Sequence, residues 1–234
     1  MTKGRHIDIM GIINLTDDSF YAESRCASEQ KLMSRVAEMV KEGATILDLG
    51  ACSSRPGSEP VGPEVEWERL KPALLSIRSK YPDMPISIDT CWSEVVHNAY
   101  DHIGEIIVND ITSGENDPQM LPTVGRLGLR YIAMHMRGTS KTMQELTQYE
   151  DVVQDVVAYF MDFAEKAQAN GIKNWILDPG FGFAKTIEQN YKLLSELSAL
   201  KTVVRADGTP PPVLVGISRK SMVYKPLGIT PEEA

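Results

Sequence analysis

The chain has 234 residues, of which 42% are hydrophobic and 24% are charged, the composition of an ordinary globular protein. Its formal net charge of -8 disfavours nucleic acid or an anionic membrane as a partner. Three cysteines without a C-x-x-C pair indicate reduced thiols and therefore a cytoplasmic location. Every apolar run is far shorter than the roughly 18 residues that a membrane-spanning helix needs.

Short apolar strands alternate with amphipathic helices along the chain. The strands are predicted at residues 7–14, 45–49, 86–88, 105–108, 130–134, 175–177 and 213–217. The helices are predicted at residues 29–42, 64–81, 93–100, 152–169 and 187–200, and one more begins at Asp117. Because a helix between two strands allows them to pair in parallel, the pattern predicts an α/β fold with helices outside a parallel sheet.

Two architectures fit seven strand–helix repeats, a doubly wound sheet and a TIM (β/α)8 barrel. A doubly wound sheet places its site at one switch point, whereas a barrel gathers side chains from all the strand ends at its C-terminal mouth. Polar residues follow nearly every predicted strand, which favours the barrel, as one domain over residues 1–234. The residues after Lys220 contain no recognisable strand 8 or helix 8, so the barrel is predicted to be truncated before them.

The polar side chains at the predicted strand ends suit a flat, nitrogen-rich heterocycle. They are Asn14, Ser54, Arg55, Asp89, Asn109, His135, Asp178, Ser218 and Lys220. Asp178 would accept two adjacent donors of a guanidine-like edge, and Asn109 would offer a donor and acceptors. Lys220 would donate to a ring carbonyl or nitrogen. Met134 and Phe183 would contact the faces of the ring.

Each of these residues also has a purely structural interpretation. Roles in a turn, a helix cap or a solvated surface remain open for Asn14, Asp89, Asn109, Asp178 and Lys220. We interpret His135 as a structural residue whose ring is satisfied by neighbouring backbone.

Seven motifs then occur in a fixed order along nearly the whole chain. They are GIINLTDDSF at 11–20, SSRPG at 53–57, SIDT at 87–90, VND at 108–110, MHMRGTSKTMQ at 134–144, DPGFGF at 178–183 and GISRKS at 216–221. With these motifs the sequence resembles the dihydropteroate synthases, the pterin-binding family of folate biosynthesis. The resemblance implies a (β/α)8 barrel that joins 6-hydroxymethyl-7,8-dihydropterin diphosphate to p-aminobenzoate. The products would be 7,8-dihydropteroate and pyrophosphate.

The resemblance also implies a role for each matching residue. The substrate-binding residues would be Ser54, Asp89, Asn109, Met134, Asp178, Phe183, Ser218 and Lys220. The catalytic residues would be Asp89, Lys220 and Arg55. Asn14 would ligate Mg²⁺ bound to the diphosphate, which makes Mg²⁺ the expected cofactor. Phe183 and Ser218 would border the p-aminobenzoate site, where sulfonamides would compete.

One part of the family pattern is missing, and it leaves other functions open. The family's eighth strand carries an Arg-x-His motif that holds the diphosphate, and the 234 residues lack it. We therefore expect weak or absent turnover from this chain alone, and a homodimer only where the C-terminal region is present. A non-catalytic pterin-binding remnant or partner subunit fits the missing strand. A methyltetrahydrofolate-dependent corrinoid methyltransferase would share the pterin-reading residues but lack the SRPG loop and the SRK motif, both of which occur here.

Overall fold

A computed structural model describes residues 7–15, 25–51, 61–138 and 142–234, with backbone alone for residues 25–28 and 144. The described residues fall into two compact units, one ending at Asn109 and one beginning at Asp110. In this part of the chain six strands alternate with helices, as the sequence predicts. Each helix that the structure describes is too short or too polar to cross a membrane.

The elements follow one another as strand and helix. The strands are β1 (Met10–Asn14), β2 (Ile46–Gly50), β3 (Ile86–Asp89), β4 (Ile107–Asp110), β5 (Arg130–Met134) and β6 (Trp175–Asp178). The helices are α1 (Arg25–Glu42), α2 (Pro63–Lys80), α3 (Ser93–Ile103), α4 (Met120–Leu127), α5 (Val152–Ala169), α6 (Ile187–Ser195) and α7 (Ser221–Leu227). Short 3-10 helices lie at Met143–Glu145, Leu197–Thr202 and Pro231–Glu233.

In the first unit, strands β1 to β4 pair in parallel and in chain order. The register places Asn14 beside Gly50, Gly50 beside Asp89, and Asp89 beside Asn109. Because side chains alternate between the two faces of a strand, residues in register share a face. One face of this sheet is apolar, and its fully buried side chains include Leu47, Leu49, Ile88 and Val108.

The helices of the first unit each turn an apolar side inward. Val36 on α1, Leu70 and Leu74 on α2, and Val95 and Val96 on α3 are completely buried. Burying an aliphatic side chain of this size contributes roughly 1.5–3 kcal/mol to folding. The first unit therefore has a hydrophobic core of its own, formed by the helices and the apolar face of the sheet.

In the second unit, β5 and β6 pair in parallel with Met134 beside Asp178. Tyr131 stacks on Phe163 of α5 at 5.7 Å between ring centroids, and Trp175 meets the same ring edge-on at 5.5 Å. The sheet face that carries Tyr131 and Trp175 therefore packs against α5, and the alternation of side chains places Met134 and Asp178 on the opposite face. That opposite face is the one available to a ligand.

The predicted seventh strand, residues 213–217, is wrong in extent. A single bridge joins Val213 to Leu177, where Leu177 N donates to Pro212 O at 3.0 Å and Leu214 N donates to Leu177 O at 2.8 Å. Residues 214–217 form no strand, so the predicted strand is reduced to this bridge. The predicted helix at 187–200 likewise ends earlier, at Ser195, and continues as a 3-10 helix.

Candidate active site

The second face of the four-stranded sheet in the first unit carries a row of polar side chains. Its side chains include Asn14, Asp48, Ser87, Asp89 and Asn109, which the register places on one face. Strands of parallel sheets are normally apolar on both faces, because helices cover them. A row of amides and carboxylates on such a sheet is typical of a ligand site rather than of a core.

Within this polar face, Asp48 and Asn109 orient each other. The Nδ2 group of Asn109 donates to both carboxylate oxygens of Asp48, at 3.3 and 3.2 Å. The Asn109 carbonyl oxygen is thereby turned away from Asp48 and is held as an acceptor. Asp48 is only 5% exposed, and it is not among the site residues predicted from the sequence. The sequence feature that could have indicated Asp48 is its position inside the apolar strand ILDLG, because buried charged residues are rare unless they have a partner.

The carboxylate of Asp89 lies beside Gly50 of the neighbouring strand, which has no side chain. A Cβ atom at Gly50 would lie 3.3 Å from Asp89 Oδ2 and 3.4 Å from Asp89 Cβ, which is tighter than most real contacts. Gly50 therefore leaves the Asp89 carboxylate room beside Asn109. The register places Asn14, Asp89 and Asn109 on one face, at the ends of β1, β3 and β4, and their role as site residues stays a prediction.

In the second unit the central residue is Asp178, the last residue of β6. Its Oδ1 accepts a hydrogen bond from Gly180 N at 2.8 Å, which fixes the carboxylate at the strand end. Burial raises the pKa of Asp178, and the Gly180 N–H and the charges of Lys220 and Lys185 oppose that rise. Met134 lies beside Asp178 in the register. A carboxylate with these donors behind it is suited to accept further donors from a ligand.

The glycine-rich segment after β6 is fixed by close backbone contacts, in which Gly180 has a φ of 68°. A Cβ atom at Gly180 would lie 2.0 Å from the carbonyl oxygen of His135, so no other residue fits there. Buried Asn190 accepts from Gly182 N at 2.8 Å and donates to Lys185 O and Thr186 O at 3.3 and 2.6 Å. These contacts define the segment 179–184, which we call the glycine loop.

Lys220 lies against this loop. It directly precedes α7, and its Nζ donates to the carbonyl oxygen of Phe181 and lies 4.5 Å from the centre of the Phe183 ring. Burial lowers the pKa of the Lys220 ammonium, and the charge of Asp178 partly restores it. The structure thus brings Lys220, Phe183 and Asp178 together around one loop, and their role in binding a substrate stays a prediction. Ser218 lies in an exposed turn two residues earlier.

His135 and Lys185 form a buried pair behind the glycine loop, at 2% and 7% exposure. Lys185 Nζ lies 2.9 Å from His135 Nδ1. His135 was predicted to be structural, but backbone was the expected partner of its ring, and Lys185 was not predicted at all. Burial first, and then the charges of Lys185 and Arg137, lower the pKa of His135 to about 2, so its imidazole is neutral at physiological pH.

Two predicted site residues, Ser54 and Arg55, lie outside the described residues. Among the residues that are described, no group of three or more His, Cys, Asp and Glu side chains could hold a metal ion. A divalent cation at the end of β1 would therefore depend on Asn14 and on oxygens of the ligand itself. Mg²⁺ is commonly bound in this way, with few protein ligands and several from phosphate and water.

Glu66 of α2 is a buried carboxylate next to the polar end of the first unit. The residue has no exposed surface, and neither carboxylate oxygen has a hydrogen-bond partner of good geometry among the described residues. Burial raises the pKa of Glu66 to about 7, while the Thr90 hydroxyl and the Arg69 charge partly oppose that rise. Between the ordinary pKa and this value the folded state binds more protons than the unfolded state, so stability falls as pH rises through that window.

We expect Glu66→Gln to remove this loss of stability. At about pH 8 the variant should be more stable than the wild type, by at most about 3 kcal/mol, and near pH 4 the two should be equal. Urea unfolding across the pH range measures the difference. Glu68→Gln, on the exposed side of the same helix, is the matched control and should change stability by less than about 0.5 kcal/mol. Parallel stability curves for wild type and Glu66→Gln would contradict the assignment.

Comparison with known proteins gives the family of the chain. The family profile described as "Pterin binding enzyme" matches residues 10–233. The dihydropteroate synthase of Haemophilus influenzae is 38% identical over 217 residues, which are 92% of this chain and 76% of that protein. The folic acid synthesis protein fol1 of Pneumocystis carinii is 41% identical over 215 residues, which are 91% of this chain. The chain spans only 28% of the length of the fungal protein.

Solved structures show the same fold. The dihydropteroate synthase of Thermus thermophilus in complex with 4-aminobenzoate has a TM-score of 0.81 and 37% identity to this chain. The similarity covers 98% of this chain and 80% of that one. The fold class predicted from the sequence is thereby confirmed. The chain therefore belongs to the pterin-binding enzyme family and, within that family, to the dihydropteroate synthases.

Proposed function

We propose that the chain condenses 6-hydroxymethyl-7,8-dihydropterin diphosphate with p-aminobenzoate to give 7,8-dihydropteroate and pyrophosphate. The observation that carries the proposal is the arrangement around Asp178. A carboxylate at the end of β6 has a backbone N–H on one oxygen and the ammonium groups of Lys185 and Lys220 near it. This arrangement matches the guanidine-like edge and the ring acceptors of a pterin better than it matches a metal or a phosphate.

In this proposal Asp178 accepts the two adjacent N–H donors of the pterin edge. A carboxylate that accepts two parallel N–H bonds is favoured both in energy and in geometry. Lys220 donates to an acceptor on the ring, and Met134 contacts a ring face from the same side of the sheet as Asp178. Asp89 and Asn109 contribute further pterin contacts by their match to the family motifs, and their joint action with the second unit stays a prediction.

The reaction needs little general acid–base catalysis. The bond between the pterin methylene carbon and the diphosphate oxygen breaks, and the oxygen keeps the electron pair. The aniline nitrogen of p-aminobenzoate then forms a bond to the methylene carbon and loses a proton. The positive charge that develops on the pterin is stabilised by the electron-rich ring, and a carboxylate such as Asp89 would stabilise it further.

Mg²⁺ is the proposed cofactor, and Asn14 is the one described residue proposed to bind it. Asn14 offers one hard oxygen donor at the end of β1, which leaves most of the coordination sphere to diphosphate and water. When bound, the ion would neutralise charge on the leaving diphosphate. Arg55 and Ser54 would act on the diphosphate and p-aminobenzoate by their match to the family motif.

The p-aminobenzoate site is proposed at Phe183 and Ser218. Phe183 is half-buried beside Lys220, so a p-aminobenzoate ring on Phe183 would adjoin the pterin that Lys220 contacts. Sulfonamides present an aniline opposite an acidic group, so they would compete for the same place. A cytoplasmic location, and a homodimer where the C-terminal region is present, are further parts of the proposal and rest on cysteine usage and on the family resemblance.

The test is an assay of the purified chain with pterin diphosphate, p-aminobenzoate and Mg²⁺, in which dihydropteroate and pyrophosphate are both measured. Equal amounts of the two products would support the proposal. Binding of pterin diphosphate in calorimetry without product would favour the second candidate, a pterin-binding protein without turnover. Methyl transfer from methyltetrahydrofolate to a corrinoid, with no dihydropteroate, would contradict the proposal.

A further inference from the structure

Lys185 is a buried lysine that no step of the proposed reaction uses. Its Nζ has three acceptors at hydrogen-bond distance: Gly180 O at 3.0 Å, Phe183 O at 3.1 Å and His135 Nδ1 at 2.9 Å. The carbonyl oxygen of His135 lies at 3.5 Å, the limit of a hydrogen bond. An ammonium group has three N–H donors and can serve three acceptors at once, whereas a neutral amine has only two. The three acceptors therefore favour the charged form of Lys185.

These contacts join the glycine loop to the end of β5. Gly180 and Phe183 lie on the loop, while His135 directly follows β5. Because the pKa of His135 is lowered to about 2, its ring is neutral, and Nδ1 accepts a hydrogen bond from Lys185 while Nε2 carries the ring hydrogen. One lysine thus holds the loop that carries Phe183 and the carbonyl of Phe181, on which Lys220 rests.

Three charged residues act on Lys185. Burial first, and then the charges of Lys220 and Arg137, lower the pKa of Lys185 to about 7, while the charge of Asp178 opposes that fall. In return, the Lys185 charge helps to keep the buried carboxylate of Asp178 ionised, since it is one of the causes that lower the Asp178 pKa. Neutral His135 adds an acceptor without adding a charge.

We propose that Lys185 is a positioning residue for pterin binding: its ammonium fixes the glycine loop and supplies the second positive charge that keeps Asp178 a carboxylate. This inference rests on the proposed function, because it takes a pterin as the ligand of Asp178. Lys185 acts through Asp178 and the loop and does not touch the pterin. When the Lys185 ammonium loses a proton, one of its three hydrogen bonds and its positive charge are both lost.

A dependence of pterin affinity on pH follows. Since the ammonium form is the one that supports binding, affinity should fall as pH rises through the pKa of Lys185, about 7. Below that pH Lys185 is mostly the charged ammonium, and above it Lys185 is mostly the neutral amine. The pterin's own titration is common to every variant, so differences between variants report on Lys185 and on its effect on Asp178.

The experiment is calorimetry of 6-hydroxymethylpterin with the full chain and its Lys185→Met variant, from about pH 6 to about pH 8.5. At about pH 6 we expect the variant to bind about tenfold or more weakly than the wild type, the value of one charged hydrogen bond. At about pH 8.5 the difference should be smaller but still present, because the wild type has by then lost its charge while its neutral amine keeps two N–H donors that methionine lacks. A variant that binds as well as the wild type at low pH would overturn the inference. So would a variant that is weaker by one constant factor at every pH, which indicates packing alone.

A second pair of variants keeps Lys185 in place. His135→Leu removes the Nδ1 acceptor and should move the midpoint of the affinity–pH curve to lower pH, whereas His135→Asn keeps a side-chain acceptor and should leave it nearly unchanged. An unmoved midpoint in His135→Leu would overturn the inference. Lys201→Met, at an exposed lysine, is the matched control, and thermal unfolding verifies that each variant is folded. If the wild type binds no pterin, the proposed function and this inference fail together; if it binds and the variants behave alike, only this inference fails.

Discussion

Asp178→Asn is expected to weaken pterin binding by about a hundredfold or more, the largest effect of any single change in the second unit. An asparagine keeps the shape and one acceptor but replaces the other oxygen by an N–H₂ group. That group would face one of the two N–H donors of the pterin and leave it unsatisfied. The Lys185 and Lys220 charges, which act on Asp178 in the wild type, would also lose their counter-charge. Calorimetry with 6-hydroxymethylpterin measures the loss.

The matched control for this change is Asp207→Asn. Asp207 also accepts local hydrogen bonds at a turn, from Thr209 N at 2.9 Å and Thr209 Oγ1 at 2.7 Å, but its side chain is exposed. Its replacement should leave pterin affinity unchanged. If Asp178→Asn binds pterin within a factor of about three of the wild type while remaining folded, the role assigned to Asp178 is wrong.

Lys220→Met is expected to reduce kcat/KM for dihydropteroate formation by about ten- to a hundredfold. The ammonium lies against Phe181 O and over the Phe183 ring, so the change removes a donor to the pterin and a charge near the p-aminobenzoate site. Loss of that charge should also raise the pKa of Asp178, because Lys220 is one of the causes that lower it. The activity of the variant should therefore begin to fall at a higher pH than that of the wild type as pH decreases.

Lys225→Met is the control for Lys220, since Lys225 is an exposed lysine on the same helix, α7. It should retain full activity. Initial rates at several concentrations of both substrates distinguish a loss of binding from a loss of turnover. Equal kcat/KM for Lys220→Met and the wild type would show that Lys220 is only a structural contact of the glycine loop.

The strands and their polar ends could be predicted because their signals are local. Residues 130–134 and 152–169 were predicted with the bounds that the structure has, and the strand ends at Asp89, Asn109 and Asp178 were placed within two residues. In each case an apolar run is followed directly by a polar residue. The register then follows from parallel pairing, which brings Asp89 and Asn109 side by side.

Asp48 and Lys185 could not be assigned in the same way, because their partners are distant in sequence. Asn109, which donates to Asp48, lies 61 residues further along the chain. His135 precedes its partner Lys185 by 50 residues. Nothing local distinguishes a buried lysine after a glycine-rich motif from a solvated one. The seventh strand was overestimated because the apolar run 213–217 predicts a strand throughout, whereas only Val213 forms a bridge.

The most direct test of this account is a crystal structure of the chain with bound 6-hydroxymethylpterin. We expect both carboxylate oxygens of Asp178 to lie about 2.7–2.9 Å from the two adjacent donor nitrogens of the pterin, the distance of charge-assisted hydrogen bonds. We also expect Lys185 Nζ to keep its contacts with Gly180 O and Phe183 O. A pterin bound away from β6 would contradict the account. So would a pterin whose donor edge faces water while Asp178 accepts a hydrogen bond from Gly180 N only.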